Sequence, residues 1–203
     1  YYMDKSGLIE ELLKTDATEV TLLIRPRRFG KTLGMSMLDN FLDIRKDSFK
    51  DVDGSTFENV MGLLKFTLSQ ICIEHQYLEE SSRVNPAYKQ IFTRLKEQTG
   101  TFTDVQSSLL VLMRMMKEYY KKPVILLLDE YDVPMAKASS NGYYEKMLEV
   151  IKTMMSTALK DNESLRFAVV TGCLRIAKES IFTGTNNFTT DTISDIRYDE
   201  FFG

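Results

Sequence analysis

An unbroken apolar run, Val124-Ile125-Leu126-Leu127-Leu128, stops abruptly on two carboxylates, Asp129 and Glu130, and it constrains the fold more than any other feature of the chain. The run is too short for an ordinary buried helix, and it lacks the alternation of a half-solvated strand. A strand of a parallel sheet, covered on both faces, explains it best. Two other runs read the same way: Val20 to Ile24, and Phe167-Ala168-Val169-Val170 ending on Thr171-Gly172. Between and after these candidate strands the period changes from continuous to helical. The chain therefore reads as an α/β protein, a parallel β-sheet flanked by helices on both faces in three αβα layers.

The helices announce themselves by their caps. Asp4 to Lys14 predicts a short amphipathic helix. Ser55-Thr56-Phe57-Glu58 has the capping-box pattern, and Phe57, Val60, Met61, Leu64, Leu68, Ile71 and Cys72 follow at helical spacing. Asn85-Pro86 suits the cap and first position of a helix carrying Ile91, Phe92 and Leu95. Thr103 to Gln106 repeats the capping-box logic ahead of Val105, Leu109, Leu112, Met113, Met116 and Tyr120, and Pro123 predicts the stop. A helix from about Tyr143 to Lys160 turns Tyr144, Met147, Leu148, Ile151, Met154, Met155 and Ala158 to one side. From Arg175 onward the chain is polar and weakly patterned, with a short helix expected around Ile176 to Ser180.

Composition sets outer limits. With 203 residues, 43% of them hydrophobic, one domain with elaborations is the expectation. A net charge of -3 does not advertise a nucleic-acid or membrane partner for the surface as a whole. Cys72 and Cys173 are far apart and outside any CxxC spacing, which argues for reduced thiols in a cytoplasmic protein. No apolar stretch is long enough for a membrane span. His75 is the only histidine and falls in the long helix, so a structural role is expected of it.

The chemistry concentrates at the ends of the candidate strands. The first leads into Arg25-Pro26-Arg27-Arg28-Phe29-Gly30-Lys31-Thr32, and a helical pattern opens at Leu33. Gly30-Lys31-Thr32 is the second half of the phosphate-binding loop G-x-x-x-x-G-K-[ST], while Arg25 occupies the first glycine's place. A loop between a buried strand and a helix aims free N–H groups and the helix dipole at one anionic point. Lys31 would reach the terminal phosphates, and Thr32 would offer Mg²⁺ a hydroxyl. The same tripeptide also closes ordinary strand-helix turns, and Arg25, Arg27 and Arg28 suit a solvated or partner-binding loop as well as a phosphate site. The candidate nucleotide-binding segment is Arg27, Arg28, Phe29, Gly30, Lys31, Thr32 and Leu33.

Asp129 and Glu130 complete the pattern. A hydrophobic strand ending in Asp-Glu can aim the aspartate at a metal beside the phosphates and the glutamate at the attacking water. The candidate metal ligands are thus Thr32 and Asp129, and the candidate catalytic groups are Glu130 and Lys31. Asp132 reads as a structural residue of the turn before Pro134. Thr171 is a candidate sensor of the γ-phosphate, and Arg175 follows at short range, although a strand-end threonine and a surface arginine read equally well.

Tyr2-Met3-Asp4-Lys5, the loop Arg25 to Thr32, Leu128-Asp129-Glu130-Tyr131-Asp132-Val133-Pro134, and Thr171 to Gly184 together resemble the bacterial AAA-ATPase-like family. That resemblance spans essentially the whole chain. It implies a P-loop NTPase fold over residues 1–203, ATP and Mg²⁺ as cofactors, and arginine at position 25 as the family's own version of the loop. It also implies that Arg175 is a phosphate-sensing or inter-subunit catalytic arginine, a role compatible with a homo-oligomer. The family carries a strand after its first helix, where Leu42 to Gly54 is too polar, so a segment is expected to be absent near 48–50. A nuclease-like effector domain of the PD-(D/E)XK type, in cis, is expected beyond the C-terminus.

The expected function is Mg-dependent ATP binding and hydrolysis that gates or drives an attached effector. Two alternatives remain open at this point: a slow-turnover nucleotide switch, and a nucleic-acid-binding accessory module that uses the arginine-rich loop.

Overall fold

The computed structural model describes residues 19–24, 55–172 and 188–191. Among the described residues four strands form one sheet in the order β2-β3-β1-β4, where β1 is Glu19–Ile24, β2 Val124–Leu128, β3 Leu165–Gly172 and β4 Phe188–Asp191. Every pairing is parallel. β1 runs beside β3 with Val20 opposite Ala168 and Ile24 opposite Gly172, and β2 runs along the other side of β3 with Leu128 opposite Val170. All four carboxyl ends therefore face the same way.

β3 is central and is buried from Phe167 to Gly172, only Arg166 being exposed. β2 is half-buried along its five residues and is the edge strand among the described residues. Its continuous apolar character reflects packing under the helical layer, since Val124, Leu126 and Leu128 join the core.

That layer runs through α1 (Phe57–Glu74), α2 (Tyr77–Glu80), α3 (Pro86–Lys96), α4 (Phe102–Tyr120), α5 (Val133–Ser140) and α6 (Tyr144–Leu159). α4 packs against β2 and α6 against β3, while α3 bridges α4 to α1. The helix expected directly after Thr32, the one near Asp4 and the one near Ile176 lie outside the described residues, as does the 48–50 region. α2 and α5 are additional to the sequence reading: α2 is a single turn, and α5 opens on Val133-Pro134 without side-chain capping.

Local chemistry explains the boundaries. Asn85 caps α3 by accepting the Ala87 N–H at 2.9 Å, with Pro86 in the first turn, where its missing N–H costs nothing. α1 is capped one residue later than its pattern suggested: Thr56 accepts the Asn59 N–H at 3.2 Å, while Ser55 accepts from the Asn59 side chain. α4 starts ahead of Thr103. Its capping box is Thr101 with Asp104, the hydroxyl accepting the Asp104 N–H at 3.1 Å and the carboxylate accepting the Thr101 N–H at 2.9 Å. α4 ends at Lys121, whose left-handed φ of 57° precedes Pro123.

α4 lies between α3 and α6, and its buried residues, Asp104, Val105, Ser108, Val111, Met113 and Met115, are spread around the helix accordingly. Tyr120, expected on its inner face, is exposed beside Tyr77, whose hydroxyl lies 2.9 Å from its own. α6 buries Met147, Val150, Ile151, Met154, Met155, Ala158 and Leu159. Ser69 ties α1 to the end of α3 by donating to the Lys96 carbonyl at 2.5 Å. Cys72 is a free thiol in this core, and burial pushes its pKa up to about 12, so it is inert at neutral pH. His75 caps the end of α1 with Nδ1 3.1 Å from the Tyr77 hydroxyl, and burial lowers its pKa, in keeping with a structural role.

Candidate functional site

The carboxyl ends of β1, β3 and β2 lie side by side, and the register sets their heights. Asp129 follows Leu128, which pairs with Val170, so Asp129 stands level with Thr171; Thr171 in turn pairs with Leu23 of β1. Among the described strands, β1 and β3 are neighbours without being consecutive in the chain. Open parallel sheets bind ligands in the crevice outside the carboxyl ends of their strands. At roughly 4.8 Å per strand, about 10 Å separates the end of β1 from that of β2.

Three of the candidate residues meet here. The Thr171 hydroxyl donates a short hydrogen bond to Asp129 Oδ1 and accepts the Glu130 N–H at 3.4 Å. The Tyr131 N–H donates to the Thr171 carbonyl at 3.1 Å, so backbone pairing between the two strands continues beyond the end of β2. Glu130 adopts a φ of 53°, left-handed for a non-glycine residue. Such backbone is held only where its surroundings over-determine it, and it concentrates at functional sites. Here the bonds made by the amides of residues 130 and 131 impose the turn.

Gly172 is the residue that sequence reasoning passed over. A Cβ at this position would stand 2.5 Å from Tyr131 Cε1, 2.9 Å from Cδ1 and 3.0 Å from Asp132 Oδ1. The Tyr131 ring therefore lies flush on the glycine backbone, and only a residue without a side chain allows the Asp-Glu turn to close over β3. A glycine inside a strand pattern is a sign of close backbone approach, and that was the available signal. Burial, then the charge of Asp132, then Tyr144 raise the pKa of the Tyr131 phenol, which stays protonated at neutral pH. Asp132 is buried, starts α5 without side-chain capping, and accepts the Ala136 N–H at its carbonyl, consistent with a structural role in the turn.

Arg27, Arg28, Phe29, Gly30, Lys31, Thr32 and Leu33 lie outside the described residues, as does Arg175. Their loops nonetheless leave from strands whose ends are described: residue 25 follows Ile24, and residue 173 follows Gly172, its partner in the register.

The donor set suits one class of cation. Among the described residues no cluster of three or more His, Cys, Asp or Glu could hold a metal by itself. Mg²⁺ is commonly held by one or two carboxylates together with phosphate oxygens and water, in contrast to an all-protein cage. Asp129 is a carboxylate of that type, with Oδ1 fixed by Thr171.

A parallel α/β sheet with an acidic turn at its carboxyl edge defines the class of protein. The chain belongs to the AAA-ATPase-like family, whose profile, described as "Predicted AAA-ATPase", matches residues 1–182. A protein of Azotobacter chroococcum mcd 1, described as "Uncharacterized protein in vnfD 5'region", is 26% identical over 208 residues. The alignment covers 98% of this chain and 38% of that relative, so the chain spans well under half the relative's length. No solved structure matches the chain. No helix among the described residues is long and apolar enough to cross a membrane.

Proposed function

We propose that this chain is a P-loop ATPase domain that binds Mg-ATP at the carboxyl edge of the sheet and hydrolyses its γ-phosphate. The observation that carries the reading is the shared level of three strand ends: β1, followed by Gly30-Lys31-Thr32, the middle strand β3, and β2, followed by Asp129-Glu130. A phosphate-cradling loop and a carboxylate that reaches the metal can work together from separate strands about two strand spacings, about 10 Å, apart.

Each residue then has a defined task. Gly30 lets the backbone approach the phosphates, Lys31 counters their charge, and Thr32 and Asp129 hold magnesium, which supplies neutralisation of the charge developing on the phosphate oxygens. Glu130 polarises the attacking water from a left-handed turn at the end of β2. Arg175 acts on the phosphates as a further cation, within the subunit or across to a neighbour. The greater length of the Azotobacter chroococcum relative supports a longer protein in which hydrolysis drives or gates an attached effector domain.

The deciding experiment is a titration of ATP, GTP and ADP against the protein and its Lys31→Ala variant, with and without Mg²⁺. Tight Mg-ATP binding that Lys31→Ala weakens is expected. Absence of nucleotide binding by the parent protein would sink the proposal. A nucleic-acid module would instead bind in a steeply salt-dependent manner and tolerate Lys31→Ala.

A further inference from the structure

A threonine at the end of the middle strand invites the role of a phosphate sensor, yet the hydrogen bonds of Thr171 point elsewhere. Phosphate oxygens only accept, so a hydroxyl that senses them must donate. A threonine has one proton to give. In this structure that proton goes to Asp129 Oδ1, while the oxygen accepts the Glu130 N–H. The residue is 0% exposed, and its carbonyl is taken by the Tyr131 N–H. Thr171 thus touches all three consecutive residues of the acidic turn.

We infer that Thr171 is a positioning residue: through Asp129 it sets the cation-binding carboxylate, and it does not contact the nucleotide. The inference rests on the ATPase reading given above. Its physical content is orientation. A carboxylate at a strand end rotates freely unless one oxygen is fixed. With Oδ1 held by a buried donor on the adjacent strand, the rotation of the carboxylate is restricted before any cation arrives. Pre-organisation of this kind is gained in cation affinity, because less freedom is lost on binding. The same hydroxyl holds the Glu130 amide in its left-handed turn, so the metal-binding and water-polarising residues are set by one group.

The test separates a metal-positioning hydroxyl from a phosphate-sensing one. Calorimetric titrations would measure ATP and ADP affinity in EDTA and in Mg²⁺ for the parent protein, Thr171→Val, which keeps the shape, and Thr171→Ser, which keeps the hydroxyl. In EDTA the valine variant should bind ATP and ADP within about twofold of the parent. In Mg²⁺ the gain in ATP affinity that the cation brings should fall about tenfold or more, as expected for loss of a hydrogen bond to a charged group. Thr171→Ser should restore most of it.

Asp129→Asn should reproduce the loss, and adding Thr171→Val to it should cost little more, since both changes disable one device. That non-additivity can also be read with Thr171→Ala should the valine variant fold poorly. Loss of ATP-over-ADP preference in EDTA would overturn the inference in favour of direct phosphate contact. An undiminished Mg²⁺ gain in the valine variant would overturn it too, while leaving the ATPase reading intact. A parent protein that binds no nucleotide would end both.

Discussion

The helical layer and the carboxyl edge of the sheet use polar side chains in opposite ways. Between α3 and α4, Arg94 grips Asp104 with both prongs, at 2.9 and 2.7 Å, and Asp104 in turn caps its own helix. Lys96 pairs with Glu79 between α3 and α2, and Glu79 also accepts from Thr93. Those charges close on one another and strap helices together. At the sheet edge, Asp129 is held through Oδ1 by Thr171, Glu130 sits on left-handed backbone, and Tyr131 is laid against a glycine. Satisfied pairs build stability, whereas a left-handed turn that carries two adjacent carboxylates is an arrangement suited to binding. The comparison predicts that substitutions in the two regions separate cleanly in what they damage.

The largest effect should come from the core of the layer. Phe92 is among the largest fully buried side chains, and Phe92→Ala should lower unfolding stability by about 3–5 kcal/mol. Denaturant titration measures it, and the nucleotide affinity of the protein that remains folded should be unchanged. Glu130→Gln should do the reverse: ATP turnover down about 10²–10⁴-fold, with binding and thermal stability close to the parent. A Glu130→Gln protein that hydrolyses ATP normally would remove the glutamate from the chemistry.

Gly172→Ala tests whether the two regions are mechanically independent. A Cβ 2.5 Å from the Tyr131 ring cannot be absorbed without moving the turn, and overpacking typically costs about 1–3 kcal/mol. Both stability and Mg²⁺-dependent ATP affinity should fall, because the turn that seats Asp129 is the part displaced. Lower stability with unchanged Mg²⁺ response would mean that the Tyr131 ring moves alone.

Much of this architecture was legible in the chain. The three apolar runs are three of the four strands, and the Asn85-Pro86 and Pro123 signals bound α3 and α4 as read. The errors have physical causes. The place of β2 in the sheet was not legible, because a continuous apolar run is the same in an edge strand packed under helices as in a central strand; sequence alone does not give strand order. α4's capping box was sought at Thr103 and Gln106 because the usual pattern ends in Glu or Gln, but the shorter Asp104 reaches the Thr101 amide equally well. At the candidate site the residue types Asp129, Glu130 and Thr171 were visible. Their coupling was not, since it depends on register across β2 and β3, which no local pattern encodes.

The smallest effect belongs to Asp104, and it sharpens the comparison most. The Arg94 guanidinium, followed by the amide and hydroxyl of Thr101, holds the Asp104 carboxyl down to about 2, against partial opposition from burial. A carboxylate whose folded pKa lies below its unfolded value near 3.8 contributes stability that is complete above pH 4 or so and is lost as pH falls through about 2. Asp104→Asn removes the charge yet keeps an acceptor for the cap, so it should cost about 1–2 kcal/mol at neutral pH, the scale of lost charge assistance in the bonds from Arg94. The cost should shrink as pH drops from about 4 to 2, where the parent loses the same charge. Urea unfolding at several pH values would record the convergence. Parallel curves for parent and variant would deny the ion pair its stabilising role, and an altered Mg-ATP affinity in Asp104→Asn at neutral pH would break the separation between strap and site.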